Sequence, residues 1–279
     1  MDSTEDLIIE REGAVVTVTF DRPHRRNAFT TPMYDGLRRL AIEVRDDPSV
    51  RALVLQGSGG AFAAGNDIGE FAEMTTGAEA VAYEARVQDL LVALSRLPQV
   101  TIAAIDGLCV GGGLAVATCC DLRVATADSR FGYPIARTLG NALSRPLLER
   151  CVHVFGESMT RQMLLTSRLV DAERAYGVGA LLAVSPTSEG LRAEVGSIVD
   201  GLLRAAPLTL TATKTQLDAI TASPLLTDAE ARAADDALLE GVYGSPGFRE
   251  GVRAFLAKEK PNFEVVSAAH SQTGAAGPA

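Results

Sequence analysis

Apolar and polar positions alternate through residues 14–20, AVVTVTF, with Val16, Val18 and Phe20 on one face and threonines on the other. That two-residue period predicts a strand, and the turn-rich DRPHRRN closes it. RALVLQG at 51–57 reads as a second strand running into the glycine-rich GSGGAFAAGND. VTIAAIDG at 100–107 and DLRVAT at 121–126 read as a third and a fourth. Between 79 and 97 the period lengthens, and Val81, Val87, Leu90, Leu91 and Leu94 share one side of a helix. A helix is expected at 144–156. RLVDAERAYGVGALLAVSP should then form a second helix, capped by Asp171, and a short strand. From 188 onward the spacing is helical, at 188–205, 208–220, 227–243 and 247–259. The small, polar SAAHSQTGAAGPA at 267–279 reads as a disordered tail.

Strands alternating with helices imply an α/β core, and a terminal block of helices implies a separate lobe. The expected division is a core over 1–195, a helical lobe over 196–265 and a tail over 266–279. No internal sequence repeat is visible. With 279 residues there is ample chain for one large buried core.

The formal charge of −9 argues against a nucleic-acid surface. No apolar window is long enough to predict a membrane span. The acidic start, MDSTEDLIIEREG, lacks the order of an export peptide, so a cytoplasmic protein is expected. Only three lysines occur, Lys214, Lys258 and Lys260, and the last two form a small basic cluster near the C-terminus. Cys109, Cys119, Cys120 and Cys151 fit no zinc spacing and read as small buried residues in a reducing compartment.

The chemistry is concentrated at glycines. In GLCVGGGLAVATCCD, residues 107–121, three glycines join a strand to a helix of small residues. The first amides of a helix have no intrahelical acceptor and lie at its positive end, and glycine lets a ligand approach that backbone. AFAAGNDIGEF, residues 61–71, repeats the arrangement after another strand. Two such junctions facing each other can each offer one amide to a single oxygen, the geometry that stabilises an oxyanion.

The chain resembles the enoyl-CoA hydratase/isomerase, or crotonase, superfamily in four stretches over residues 10–263. They are VTVTFDRPHRRNAF, AFAAGNDI, AAIDGLCVGGGLAVATCCDLRVATADSRFGYP and FREGVRAFLAKEKPNF. The resemblance implies a spiral of ββα units with a C-terminal helical lobe, trimers or dimers of trimers, and an acyl-CoA ligand with no further cofactor and no metal. It assigns the oxyanion-hole amides to Asn66 and Gly112. Ala64 and Asp67 fall at the adenine end, and Arg22, Arg25 and Arg26 flank the CoA phosphates. Phe255 and Lys258 match a helix that often completes a neighbouring subunit's site, with Lys258 near the 3′-phosphate.

Two positions depart from the family pattern. Hydratases of this superfamily carry one glutamate two residues after the glycine triplet, where this chain has Ala115, and another after the proline of FGxP, where it has Ile135. Neither side chain carries a proton, and each general acid or base is worth about 10²–10⁴ in rate. Five residues, against the family's usual four, separate Pro134 from Gly140, so this loop carries one extra. Substitutes in the sequence are Tyr133 as a proton donor and Arg137 as a carbonyl or carboxylate partner, with Asn141 and Ser144 nearby. Glu70, Glu73, Glu84 and Asp89 lie on helices that border the acyl pocket or merely face solvent. His24 lies beside the arginines, and neither His153 nor His270 suggests a catalytic base. Three readings stay open: an enolate-forming enzyme with atypical acid/base groups, a decarboxylase or thioesterase, and a non-catalytic acyl-CoA binder.

Overall fold

The computed structural model describes residues 1–262 apart from Asp2, Glu73, Thr75 and 222–228. The expected tail, His270 and Glu73 lie outside the described residues. The chain opens with an antiparallel pair, β1 (Leu7–Glu12) and β2 (Val15–Phe20), followed by α1 (Thr31–Asp46). Then come β3 (Ala52–Gly57), β4 (Ala61–Ala64), α2 (Ile68–Phe71), α3 (Gly77–Ser95), β5 (Val100–Ile105), β6 (Leu108–Val110) and α4 (Gly112–Cys119). β7 (Leu122–Thr126), β8 (Arg130–Gly132) and α5 (Arg145–Thr166) complete the next pass, and β9 (Val170–Asp171), α6 (Ala172–Gly177) and β10 (Ala183–Ser185) follow. The last helices are α7 (Ser188–Arg204), α8 (Pro207–Thr221), α9 (Ala229–Tyr243) and α10 (Pro246–Leu256).

Two sheets result, one of six strands in the order β1-β2-β3-β5-β7-β10 and one of four in the order β4-β6-β8-β9. Each pass of the chain lays one strand in the large sheet and the next in the small one: β3 then β4, β5 then β6, β7 then β8. That is the expected ββα spiral, and its repeat is one of structure alone. The pairings β2-β3, β3-β5, β5-β7 and β4-β6-β8 are parallel. The glycine junctions after β4 and β6 therefore emerge at the same end of adjacent strands, and this is what brings them together.

β1 and α1 are absent from the periodicity reading above. β1 is an edge strand in which Leu7 alone is fully buried, so its alternation is faint. α1 carries both signals: Met33, Leu37, Leu40, Ala41 and Val44 recur at helical spacing and are buried, and the first turn is capped. Thr30 accepts from the Met33 amide at 3.4 Å, and Pro32 sits in the first turn. The helix expected at 144–156 runs on to Thr166, with non-helical φ 74° and ψ 158° at Gly156 marking a kink.

A chain of aromatic rings crosses the core under the junctions. Phe20 meets Phe29 at 4.8 Å, Phe29 meets Tyr34 at 5.1 Å, and Tyr34 meets Tyr83 at 6.3 Å. Phe71 continues it from Tyr83 at 5.2 Å to Tyr243 at 6.5 Å. All but the tilted Phe29–Tyr34 pair are edge-to-face, and such pairs each add about 0.5–1.5 kcal/mol beyond area burial. They also fix where two hydroxyls point, those of Tyr34 and Tyr243. No helix among the described residues is long and apolar enough to cross a membrane.

Candidate active site

Each glycine of the triplet is required for a different reason. Gly111 has φ 52° and ψ −124°, a conformation costly for any residue with a Cβ. A Cβ on Gly112 would lie 2.1 Å from Asn66 Oδ1 and 2.4 Å from the Tyr34 hydroxyl. One on Gly113 would lie 2.5 Å from the carbonyl oxygen of Ala63 in β4. Opposite them Gly65, at φ 96°, presents its Cβ direction 4.0 Å from the Gly112 nitrogen. The Phe29 amide donates to Gly65 O at 2.8 Å and the Asp67 amide to Phe29 O at 2.7 Å, which clamps the peptide bearing the Asn66 N–H between them. Gly112 is the first residue of α4, and among the described residues neither its amide nor that of Asn66 has a backbone acceptor. The Asn66 side chain is itself fixed, because the buried Tyr34 hydroxyl donates to its Oδ1 at 2.6 Å.

Both junctions open on one cavity of about 420 Å³. At its exposed end lie His24, Arg25, Arg26 and Phe255, and the buried Val87, Leu139 and Leu147 line its other parts. Ala64, Asn66, Asp67 and Gly112 line it as well. The mouth is thus basic and the interior apolar, which suits an amphipathic ligand carrying an anionic group.

Arg22 does not line the cavity. Its guanidinium donates to Ala28 O at 2.6 Å, pairs with Asp67 at 3.0 Å and lies 3.4 Å from Asp6, so it braces the loop that carries Arg25 and Arg26. Burial pushes the Asp67 carboxyl up, but hydrogen bonds from Arg22 and the Gly69 amide, with the charges of Arg22 and Arg25, outweigh it and hold the group below its usual value. The same loop depends on Asn27, fully buried at φ 57°. Its Oδ1 accepts from the Arg22 amide at 2.9 Å, and its Nδ2 donates to Ser58 O at 2.8 Å and Ala61 O at 2.7 Å. Asn27→Ala is expected to cost about 2–3 kcal/mol, since it leaves buried partners unsatisfied, and denaturant titration would show the loss.

The other expected site residues are placed as follows. Tyr133 is fully buried beside Cys109, Cys119 and Cys151, outside the cavity lining, and burial raises its phenol well above the ordinary value. Arg137 is exposed in the short 3-10 turn Pro134–Arg137, also outside the lining. Lys258 lies just beyond α10, exposed, at φ 58°. Phe255, on α10, lines the cavity of its own chain. Glu70 is taken up by Thr31, whose amide and hydroxyl both donate to it at 2.9 Å. All four cysteines are buried and free, and burial keeps their thiols protonated, that of Cys151 pushed up to about 11. Among the described residues no group of three or more His, Cys, Asp or Glu side chains is placed to hold a metal ion.

Ala115 and Ile135 both line the cavity, so the two positions where the resemblance expects glutamates face its interior without a titratable group. The loop after Pro134 closes in a tight turn. The Thr138, Leu139 and Gly140 amides all donate to Ile135 O, at 3.2, 3.1 and 2.8 Å. A carboxylate does reach the cavity from another element, Glu84 of α3. Tyr243 donates to its Oε1 at 2.6 Å, and Asn141 donates to the Tyr243 hydroxyl at 3.1 Å.

Fold and site together define an α/β protein whose parallel strands deliver two backbone amides to an apolar, basic-mouthed pocket. The chain belongs to the enoyl-CoA hydratase/isomerase family, whose sequence profile matches residues 10–265. It is 30% identical over 261 residues to a crotonyl-CoA hydratase of Syntrophomonas wolfei, covering 93% of this chain and 98% of that one. Among solved structures, an enoyl-CoA hydratase/carnithine racemase from Magnetospirillum magneticum superposes with a TM-score of 0.76 at 32% identity, over 93% of this chain and 96% of the other. A methylmalonyl-CoA decarboxylase in complex with 2-nitronate-propionyl-CoA has a TM-score of 0.84 at 22% identity, over 94% and 99%, and shares the fold.

Proposed function

We propose that this protein binds an acyl-CoA with its thioester oxygen between the Asn66 and Gly112 amides and stabilises the enolate formed at C2. The observation that carries this reading is the meeting of the two glycine junctions at one cavity. Among the described residues their amides have no backbone acceptor, and a Cβ on Gly112 would clash with Asn66 and Tyr34. Donors fixed before charge develops cost no reorganisation during reaction, and each is worth about 10²–10³ in rate. Arg25 and Arg26 at the mouth suit the CoA phosphates, Asp67 with the Ala64 backbone suits the adenine, and the apolar interior suits the acyl chain. Assembly as a trimer or a dimer of trimers and a cytoplasmic location form part of the same proposal.

The alternative is a binder that does no chemistry, favoured by the apolar side chains of Ala115 and Ile135 where hydratases carry glutamates. One experiment separates the two. Saturated, α,β-unsaturated, β,γ-unsaturated and malonyl-type CoA thioesters are incubated with the protein in heavy water and weighed by mass spectrometry, with binding measured on the same sample. Deuterium at C2, loss of CO₂, gain of water or release of CoA supports an enzyme and names its reaction. Bound thioesters recovered unchanged establish the binder, and the absence of binding overturns both readings.

A further inference from the structure

Hydration across a double bond needs two proton-handling groups, one to activate water and one to deliver a proton to C2. Migration of a double bond from the β,γ to the α,β position needs only one, because the same base returns the proton it removed. Of the acids and imidazoles on the cavity wall, Asp67 is paired with Arg22 and His24 lies at the exposed mouth, which leaves Glu84, with apolar side chains at positions 115 and 135. Two elements meet at this carboxylate, and a third supports the contact. Glu84 projects from α3, Tyr243 at the end of α9 donates to Oε1 at 2.6 Å, and Asn141 from the loop before α5 donates to that tyrosine at 3.1 Å.

We infer that Glu84 is the proton-transfer residue of this site, that Tyr243 and Asn141 position it, and that the reaction served is a one-base proton shift on an acyl-CoA rather than hydration. The inference rests on the enolate reading above. Tyr34, like Glu84, lines the cavity, and it is bonded to the hole. Its hydroxyl is bonded to Asn66 Oδ1 at 2.6 Å and lies 2.4 Å from where a Cβ on Gly112 would stand. Burial first, and then the charge of Glu84, raise the Tyr34 phenol well above its ordinary value. The same two causes raise the phenol of Tyr243, so both hydroxyls stay protonated and remain donors through the neutral range.

The step balances without a co-reactant. Glu84 removes a proton from C2 of a β,γ-unsaturated thioester, and the C–H electrons pass into the C1–C2 bond as the carbonyl electrons move onto the thioester oxygen, held by Asn66 and Gly112. When that carbonyl re-forms, the electron pair shifts through C2–C3 to C4, which takes the proton back from the Glu84 carboxylic acid. The double bond then lies between C2 and C3. With a saturated thioester the same residue only exchanges the C2 proton.

The test compares the full-length wild type with Glu84→Gln. Glutamine keeps the size and the oxygen that accepts from Tyr243, so an acid that merely tied α3 to α9 would leave rates unchanged. Two rates are followed: deuterium uptake into butyryl-CoA in heavy water, and conversion of vinylacetyl-CoA to crotonyl-CoA. The wild type is expected to do both, and Glu84→Gln to lose about 10²-fold or more in each with its affinity for butyryl-CoA unchanged. Tyr243→Phe is expected to lower kcat about tenfold, the scale of one hydrogen bond to a charged group, with KM unmoved. Equal rates in wild type and Glu84→Gln overturn the role of Glu84 and leave the enolate reading standing. A wild type that binds butyryl-CoA without exchange overturns both, and a wild type that hydrates crotonyl-CoA overturns the one-base assignment.

Discussion

Gly112→Pro is expected to lower turnover of any thioester that exchanges at C2 by about 10²-fold or more, the value of one oxyanion-hole donor. Proline is favoured at the first residue of a helix, where its missing N–H has no intrahelical acceptor to lose. The helix itself therefore tolerates the change, and the loss falls on whatever that N–H serves. A Cβ at 112 also meets Asn66 Oδ1 at 2.1 Å and Tyr34 at 2.4 Å, and Tyr34 is held in the aromatic chain with 1% exposure. The ring cannot retreat, so the Asn66 side chain must.

Gly112→Ala separates the two effects, since it keeps the amide and imposes the same Cβ. Alanine should cost less turnover than proline, and the difference between the two variants measures the loss of the N–H together with the ring carbon that takes its place. Gly113→Ala provides the contrast. Its Cβ would press on the Ala63 backbone at 2.5 Å, so melting temperature is expected to fall more than turnover per folded molecule. Unchanged turnover in Gly112→Pro would falsify the assignment of the hole.

The parts of this site legible in the sequence are those built from consecutive residues. VGGG after an apolar strand and AAGND after another mark backbone that must be approached closely, and parallel pairing of β4 with β6 does the rest. Arg25 and Arg26 lie in a turn beside a strand end and are found the same way. Legibility ends where contacts span the chain. Glu84 reads as one more carboxylate on an amphipathic helix, because its partner Tyr243 is 159 residues away. Asn141 and Tyr243 are separated by 102. Tyr34 falls on the apolar stripe of α1 with Met33, Leu37 and Val44, so its spacing marks it as core and gives no sign that its hydroxyl reaches Asn66. Arg22 shows the reverse error, since three arginines near one turn look alike until Asp6 and Asp67 claim one of them.

Outside the cavity lining, a buried ion pair fastens α8 to the segments that flank β5 and β7. Lys214 of α8 is buried, with 9% of its side chain exposed, and its Nζ donates to Asp121 Oδ2 at 2.7 Å and to Gln99 O at 2.9 Å. Asp121 Oδ2 also accepts from the Thr101 amide at 2.7 Å and hydroxyl at 2.8 Å. The two partners are not equivalent, because the Asp121 side chain is 26% exposed and keeps both Thr101 donors when the lysine is gone. Asp121→Asn leaves an ammonium in a dry environment without its counter-charge, at an expected cost of about 3–5 kcal/mol. Lys214→Met leaves a partly hydrated, hydrogen-bonded carboxylate and one unsatisfied carbonyl, at about 1–3 kcal/mol. Combining the two removes the stranded charge, so the double variant should be more stable than Asp121→Asn alone. Chemical denaturation of the three variants gives the order directly. If Asp121→Asn proves the mildest of the three, the ion pair does not hold α8 to the core.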